Sequence, residues 1–568
     1  MRQIFSPLDG FRSPFGRRSG AAFTPAGLFA LSEPGVWYDP SDLTTLFTDT
    51  AGTTPVTTPG QTVALALDKS KGLVLGSELV VSPYTGSASG TWALTSTNVT
   101  RNGSSTGQVV VNISTAIDTA KRYYVTFTVA DLSGDTLLLR IGGSGTAYQV
   151  SANGVYTARV AGGGTTSSIS FAPWGGSAGQ ATITNISVKE LPGFHATQAT
   201  LASRPTYGIV PLGGRRNLLT RTEEFDNAAW TKTNQGSGSV PTVTANAGLS
   251  PIGDSTAERV QFSRTGTTAT DRSRLEQQNV SISAATNYVF SVWMKSFGGT
   301  NQTVTLFPNW GSGSAIAVTV TSEWQRFSVT AASGASTTGT PVIGLGYATN
   351  SVTSADILIW GAQLELGSTA TAYQRVGSTY DVTEAGVASL SYLFFDGVAN
   401  FMVTPTITPG IDRAQVFAGV RKLSDAASAI LVEHSVTSDS NNGSFGVLAP
   451  GSGGANSYRF TSRGTNNSTA GTGAFATAPN TSVLTGLGDI SGDVATLRRN
   501  GAVVETATTD QGTGNFLAYP LYIGRRGGTT VPFNGQLYSL LVRFGTNLDA
   551  GTITSTETWV NGKTGAYT

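Results

Sequence analysis

The chain has 568 residues, of which 12% are charged, and its formal net charge is +1. Length alone points to roughly three or four domains, and so neutral a surface, with no lysine or arginine run, lacks the long-range attraction that drives nucleic-acid or anionic-membrane binding. With no cysteine and only two histidines, disulfide scaffolds, thiol catalysis, Cys-ligated metals and a His-rich relay are excluded or starved of material.

In chain order, residues 1–75 read as an irregular amino-terminal docking arm. Its densest basic cluster, Arg12, Arg17 and Arg18, is interrupted by Pro14 and Gly16, and its aromatic-acidic stretch Trp37-Tyr38-Asp39-Pro40-Ser41-Asp42 signals a turn or helix cap. The start carries no apolar leader and no 18-residue apolar run follows, so a soluble protein made in a cytoplasm, without membrane insertion, is expected.

Residues 76–192 and 215–377, joined by a linker at 193–214, carry an internal echo. The segment Arg122–Val129 returns as Asn287–Met294, and Ala181–Leu191 as Asp356–Leu366. Two copies of one β-module follow, and repetition adds binding surface more readily than chemistry.

Residues 378–568 form a different β-module. Asn500-Gly501 between two apolar-alternating runs predicts a tight type I′ hairpin, and the best helix candidate is Thr552–Trp559, capped by Asp549 or Thr552. Throughout, apolar residues alternate with Thr, Ser or Gly, the period of a strand with one buried face. The fold class is therefore all-β, with short strands arranged as serial sandwiches.

Particular residues carry a resemblance. Asn217–Lys232, closed by Gly361-Ala362-Gln363-Leu364-Glu365-Leu366-Gly367, resembles the jelly-roll, carbohydrate-binding-module-like domains common in phage virion proteins. The stretch from Phe395-Asp396-Gly397 through Asn500-Gly501 to Phe533–Leu537 is similar to a concanavalin A-like, laminin G-type lectin sandwich. The opening through Glu33–Asp42 resembles amino-terminal segments of phage tail-fibre and head-decoration proteins.

The resemblance implies two jelly-roll modules and a lectin-like sandwich on a phage fibre or spike at the virion exterior. Arg12, Arg17, Arg18, Trp37 and Tyr38 would dock to other virion proteins, and host surface polysaccharide would be the ligand. A symmetric homo-oligomer, a trimer by the fibre resemblance, would make weak sites multivalent. Lysis would release such a protein without a secretion signal. A head-decoration protein with no glycan ligand and a polysaccharide depolymerase are the alternatives.

Strand parity nominates glycan contacts. Tyr288, Phe290, Val292 and Met294 share the core face, so Trp293 and Lys295 project from the other, where an indole beside a lysine can receive the C–H face of a sugar. The first copy has Thr128 and Ala130 there, so this platform belongs to the second module alone. Trp310, in a turn-rich loop, is a second candidate, whereas Trp230, Trp324 and Trp360 are expected in core packing.

In the lectin-like module Arg459, Arg463 and Asn466 offer donors beside aromatic residues. No cofactor is expected; Asp439-Ser440-Asn441-Asn442 has oxygen ligands for Ca²⁺ but no EF-hand-like spacing. His195 is assigned to the linker and Glu433-His434 to a half-exposed strand end. The acids of this module are scattered, without the paired carboxylates that glycoside hydrolysis needs, and the Gly-x-Ser-x-Gly matches lack a following helix, so no enzyme is expected.

Overall fold

The computed structural model describes residues 23–104, 106–143, 148–175, 178–347, 351–452, 455–471, 473 and 476–568. Arg12, Arg17 and Arg18 lie outside the described residues. Six antiparallel-dominated sheets pack as three sandwiches, each around its own core. No helix among the described residues is long and apolar enough to cross a membrane.

The two repeats share one topology. In the first, Gly154–Ala161, Arg122–Ser133, Ala178–Leu191, Asn98–Ser104 and Trp92–Leu94 lie side by side; in the second, the order is Gln325–Ala332, Asn287–Ser296, Ser354–Leu366, Ala257–Ser263 and Thr242–Gly248. The echoed segments thus occupy matching central strands. In both copies the closing strand bulges against its partner, at Asn185 in the first and Gly361 in the second, each with positive φ. The inward residues fall where alternation puts them: Tyr288, Phe290, Val292 and Met294 are all buried in the second core.

The third sandwich is larger than residues 378–568. Its ten-stranded sheet takes in Gly35–Tyr38, Thr206–Pro211 and the hairpin Gln374–Ser378/Asp381–Glu384. Its nine-stranded sheet takes in Leu46–Phe47, Leu65–Ala66 and Ala196–Thr197. The boundaries 1–75, 193–214 and 378–568 are corrected accordingly, because Val36, Val56, Val63, Ala196 and Tyr207 complete one core with Val416, Phe445 and Leu540. Short strands bounded by Gly and Pro, far apart in sequence, left no periodic signal of this sharing.

Trp37 and Tyr38, expected on a docking surface, are built into this sandwich. Gly35–Tyr38 pairs with Asn534–Phe544. The Tyr38 hydroxyl donates to the Phe194 carbonyl at 4% side-chain exposure, and Trp37 meets Trp559 edge-on at 5.7 Å. Trp559 belongs to the one long helix among the described residues, Ala550–Thr564, whose cap is Asp549, accepting from Thr552 N at 2.9 Å, and which ends at left-handed Gly565. Asn500 and Gly501 both have positive φ, the geometry of the expected type I′ turn.

Both histidines are buried, contrary to their expected places. His195, 2% exposed, accepts from Asp68 N through Nδ1 at 2.9 Å, and its Nε2 lies 3.1 Å from Leu191 O. His434 is fully enclosed among Phe445, Tyr519 and Phe544, and Glu433 beside it is equally buried.

Candidate functional site

The outer face of the second module carries a cleft of about 460 Å³ between the central strands and the hairpin Gln374–Ser378/Asp381–Glu384. Its floor starts with register. Trp293 and Trp360 are directly opposed on neighbouring antiparallel strands, and the bulge at Gly361 comes immediately after. A Cβ at Gly361 would stand 3.3 Å from the Trp293 ring and 3.4 Å from that of Tyr373, and its φ is +63°; glycine there permits both rings to close in.

The three aromatic rings are held differently. Trp360 donates through Nε1 to Thr256 Oγ1 at 2.9 Å and contacts Tyr373 at 4.7 Å between ring centroids. Tyr373 is anchored through its hydroxyl to Thr222 Oγ1 at 2.7 Å, and burial raises its pKa well above the ordinary phenol value. Trp293 is half-buried; its Nε1 is enclosed without a hydrogen-bond partner among the described residues, so it offers the cleft ring surface only.

Charged groups close the cleft. Arg375 reaches Asp381 at 2.8 Å and Glu223 at 3.5 Å, while Arg216 binds both oxygens of Glu384 and Gln374 donates to it at 3.2 Å. Burial raises the Glu223 carboxyl above the usual range despite Arg375, whereas the hydrogen bonds from Arg216 lower that of Glu384. Glu258, pushed up to about 8 by burial, holds the Asp226 N–H at 2.7 Å and does not line the cleft.

Beneath the cleft lies a buried polar layer built from the jelly-roll-like motif. Asn217 donates to Ala362 O and Gln374 O at 3.0 and 2.9 Å, and accepts from Leu219 N and Leu364 N, both at 3.1 Å. Gln363 accepts from Gln374 N at 2.8 Å and donates to Glu365 at 2.6 Å. Each of these buried groups is satisfied, so the layer fixes the segment bearing Tyr373 and Arg375 over the sheet. Most of the motif is scaffold for the cleft, and Glu223 is its one residue in the lining.

Of the expected glycan contacts, only Trp293 lines this cleft. Lys295 is half-buried two residues farther along the same face. Trp310 is corrected: 4% exposed, it donates to Ala331 O at 3.2 Å inside the second core, because its loop folds back over the sheet end.

Arg459 and Arg463 share a face of the third sandwich, as alternation requires, but reach into the loop that follows His434. Arg459 lies 3.8 Å from Asp439, and Arg463 donates to Asp439 O at 3.1 Å and Asn442 Oδ1 at 3.4 Å. Arg526 joins them, 2.6 Å from Asp439 and 3.2 Å from Glu433. Asn466 is exposed, with its backbone N–H on Gln511 O. Among the described residues no group of three or more His, Asp or Glu side chains is placed to hold a metal.

Sequence reasoning missed Trp360, Tyr373, Glu223 and Arg375. Trp360 was legible: Ile357 and Ile359 point inward, so parity sends Trp360 outward beside Trp293. Tyr373 and Arg375 arrive only through the tertiary path of the segment after Leu366.

No protein-family model and no curated protein matches the chain. Solved structures to which it is similar include the tandem CBM22-1–CBM22-2 domain of Paenibacillus barcinonensis Xyn10C, at 9% identity and a TM-score of 0.22, over 52% of this chain and 98% of that one. Domains LG4-5 of the mouse laminin alpha1 chain match at 13% identity and 0.22, over 50% and 90%. The SAP-like pentraxin of Limulus polyphemus matches at 12% and 0.23, over 28% and 78%.

Proposed function

We propose that this chain is a non-catalytic glycan-binding protein, with the aromatic cleft of the second module as its sugar site. The observation that carries the reading is the cleft itself: Trp293, Trp360 and Tyr373 form an apolar floor beside carboxylates and a guanidinium. Pyranose rings combine an apolar C–H face with hydroxyls at the rim, and sites of this size bind by pairing apolar walls with a few placed polar groups. In the first module the positions of Trp293 and Trp360 are Thr128 and Thr184, opposed in the same way, so that copy acts as spacer.

The cellular role in this reading is that of a phage virion fibre or spike attaching to host surface polysaccharide, with copies assembled so that weak sites act together. A glycan array probed with the full chain and with Trp293→Ala tests the site. Saturable binding by the first and its loss in the second is the expected result; equal binding by both sinks the site. Immunogold labelling of particles, with host adsorption measured after deletion of the gene, tests the role. Head-surface labelling with unchanged adsorption would instead identify a decoration protein.

One observation favours a second reading. Glu223 and Glu384 share the cleft with their acidities pushed apart, as acid and base groups of hydrolases are. Release of reducing ends from a bound polysaccharide, absent in Glu223→Gln, would establish cleavage.

A further inference from the structure

Between the first module and the third sandwich lies a second cavity, independent of the aromatic cleft. About 370 Å³ in volume, it is bounded by Lys121 and Arg122 from one side, His195 and Thr197 from the connecting segment, and Thr404 and Thr406 from the other. A smaller cavity of about 200 Å³ shares Arg122, Ala161 and Thr197 with it, so Arg122 stands where the two adjoin.

Arg122 is unusual for a charge so placed. It is 7% exposed. Its Nη1 donates to Thr50 O at 2.6 Å and to Arg159 O, and no carboxylate lies within ion-pair distance of it among the described residues. Burying an unpaired cation is costly, and a guanidinium has five N–H donors. Two carbonyls sharing one nitrogen leave most of that donor set without a protein acceptor. Burial accordingly lowers its pKa to about 10, with the charge of Asp49, next to Thr50 in the chain, the opposing influence.

The other lining groups do not supply the missing acceptor. Lys121 is a second cation, paired with Glu190 at 2.9 Å on its exposed side. His195 has both ring nitrogens engaged with the backbone, and burial holds its pKa down to about 4, so it stays neutral near pH 7. The hydroxyls of Thr119, Thr197 and Thr406 are left to a guest.

We propose that this inter-module cavity binds the carboxylate of an acidic monosaccharide, with Arg122 as its fork and the threonine hydroxyls receiving the sugar's own. A planar carboxylate matches the guanidinium edge with two parallel hydrogen bonds, which a hydroxyl or a spherical anion cannot. The site is more polar than the aromatic cleft and carries several threonines, so the chain would carry two saccharide sites of different chemistry.

The test is calorimetric titration of full-length Trp293→Ala, in which the aromatic cleft does not contribute, with glucuronate, glucose and acetate. Glucuronate is expected to bind saturably and glucose not to. Arg122→Met should abolish the heat. Because Arg122 also ties two backbone carbonyls and its loss could unfold the module, Thr406→Asp is the second variant: it changes an exposed residue and places a carboxylate in the cavity as a competitor. Affinity for glucuronate should fall about tenfold or more in it. Equal responses to glucose and glucuronate, or unchanged affinity in Thr406→Asp, would overturn the proposal. Acetate binding as tightly as glucuronate would overturn the sugar assignment and make a free small carboxylate the guest.

Discussion

Trp293 and Trp360 stand directly across from each other on adjacent antiparallel strands, one residue before the Gly361 bulge turns the alternation over. Opposed side chains on one sheet face lie about 5 Å apart at Cβ, so the two indoles stand side by side, Trp360 nearly covered at 3% exposure and Trp293 half-buried with more of its ring accessible. The bulge matters as much as the rings, since it sets Trp360 outward while returning Ala362 and Leu364 to the core.

Replacing the two candidate tryptophans should therefore separate binding from stability. Trp293→Ala should abolish glycan binding and leave the unfolding free energy of the second module within about 1 kcal/mol of wild type, as expected for a half-buried outer-face residue. Trp310→Ala should cost about 3–5 kcal/mol by emptying a core site. The check is denaturation followed by tryptophan fluorescence, with binding measured on the folded protein. Loss of binding without loss of stability in Trp310→Ala would contradict the placement of Trp310 in the core.

Gly361→Ala should weaken the same binding while leaving every aromatic residue in the sequence. Its φ of +63° and the 3.3–3.4 Å approaches to Trp293 and Tyr373 mean that a methyl group must displace one of them. Affinity should fall about tenfold for a loss near 1.4 kcal/mol. Asn185→Gly, at the equivalent bulge of the first module, should leave glycan binding unchanged.

A fragment comprising residues 378–568 should fail to fold, though the sequence marks it as a domain. It lacks the strands Gly35–Tyr38, Leu65–Ala66, Ala196–Thr197 and Thr206–Pro211. It also loses the partners of Arg543, which donates at 2.8 Å to Leu28 O and to Glu33 Oε1. The expected result is aggregation or a collapsed state with poor near-ultraviolet dichroism; a monomeric fragment with native dichroism and cooperative melting would refute it. In the full chain, Arg543→Met should cost about 2–4 kcal/mol, because the acceptors of this buried guanidinium, Leu28 O, Gln415 Oε1 and Thr546 O, lose their donor.

These outcomes trace what could be read from the residues. The echo at Arg122–Val129 and Asn287–Met294, the inward parity of Tyr288 to Met294 and the Asn500-Gly501 turn were legible because each is local and periodic. The sharing of strands across hundreds of residues was not. A two-residue strand such as Leu65–Ala66 carries no period, and its place is fixed by pairing with Leu46–Phe47 and Ala196–Thr197. The cleft was half legible for the same reason: parity gives Trp293 and could have given Trp360, whereas Tyr373 and Arg375 depend on the buried contacts of Asn217 and Gln363. Arg459 and Arg463 were placed on the right face, but nothing local shows a loop eight residues past His434 bending back to take their hydrogen bonds.

Acid should destabilise the third sandwich through His434. Burial among Phe445, Tyr519 and Phe544 lowers its pKa to about 3, against an unfolded value of about 6.5. Well above pH 6.5, from roughly pH 7.5 upward, the ring is neutral in both states and contributes no pH dependence. As pH falls below that value the unfolded chain takes up a proton that the folded one refuses, so stability declines until the folded pKa is reached. Between pH 7 and pH 5 the loss from this one group is about 2 kcal/mol. Other buried groups titrate in the same module: His195 acts in the same direction, while Asp68 and Glu433, both raised by burial, act in the opposite one. The comparison must therefore be with His434→Leu, an apolar replacement that removes only this titration. The stability difference between the two proteins, from urea unfolding at each pH, should shift by about 2 kcal/mol in favour of the variant on going from pH 7 to pH 5. A difference that stays constant across that interval would mean that the imidazole is protonated, or reached by water, in the folded protein.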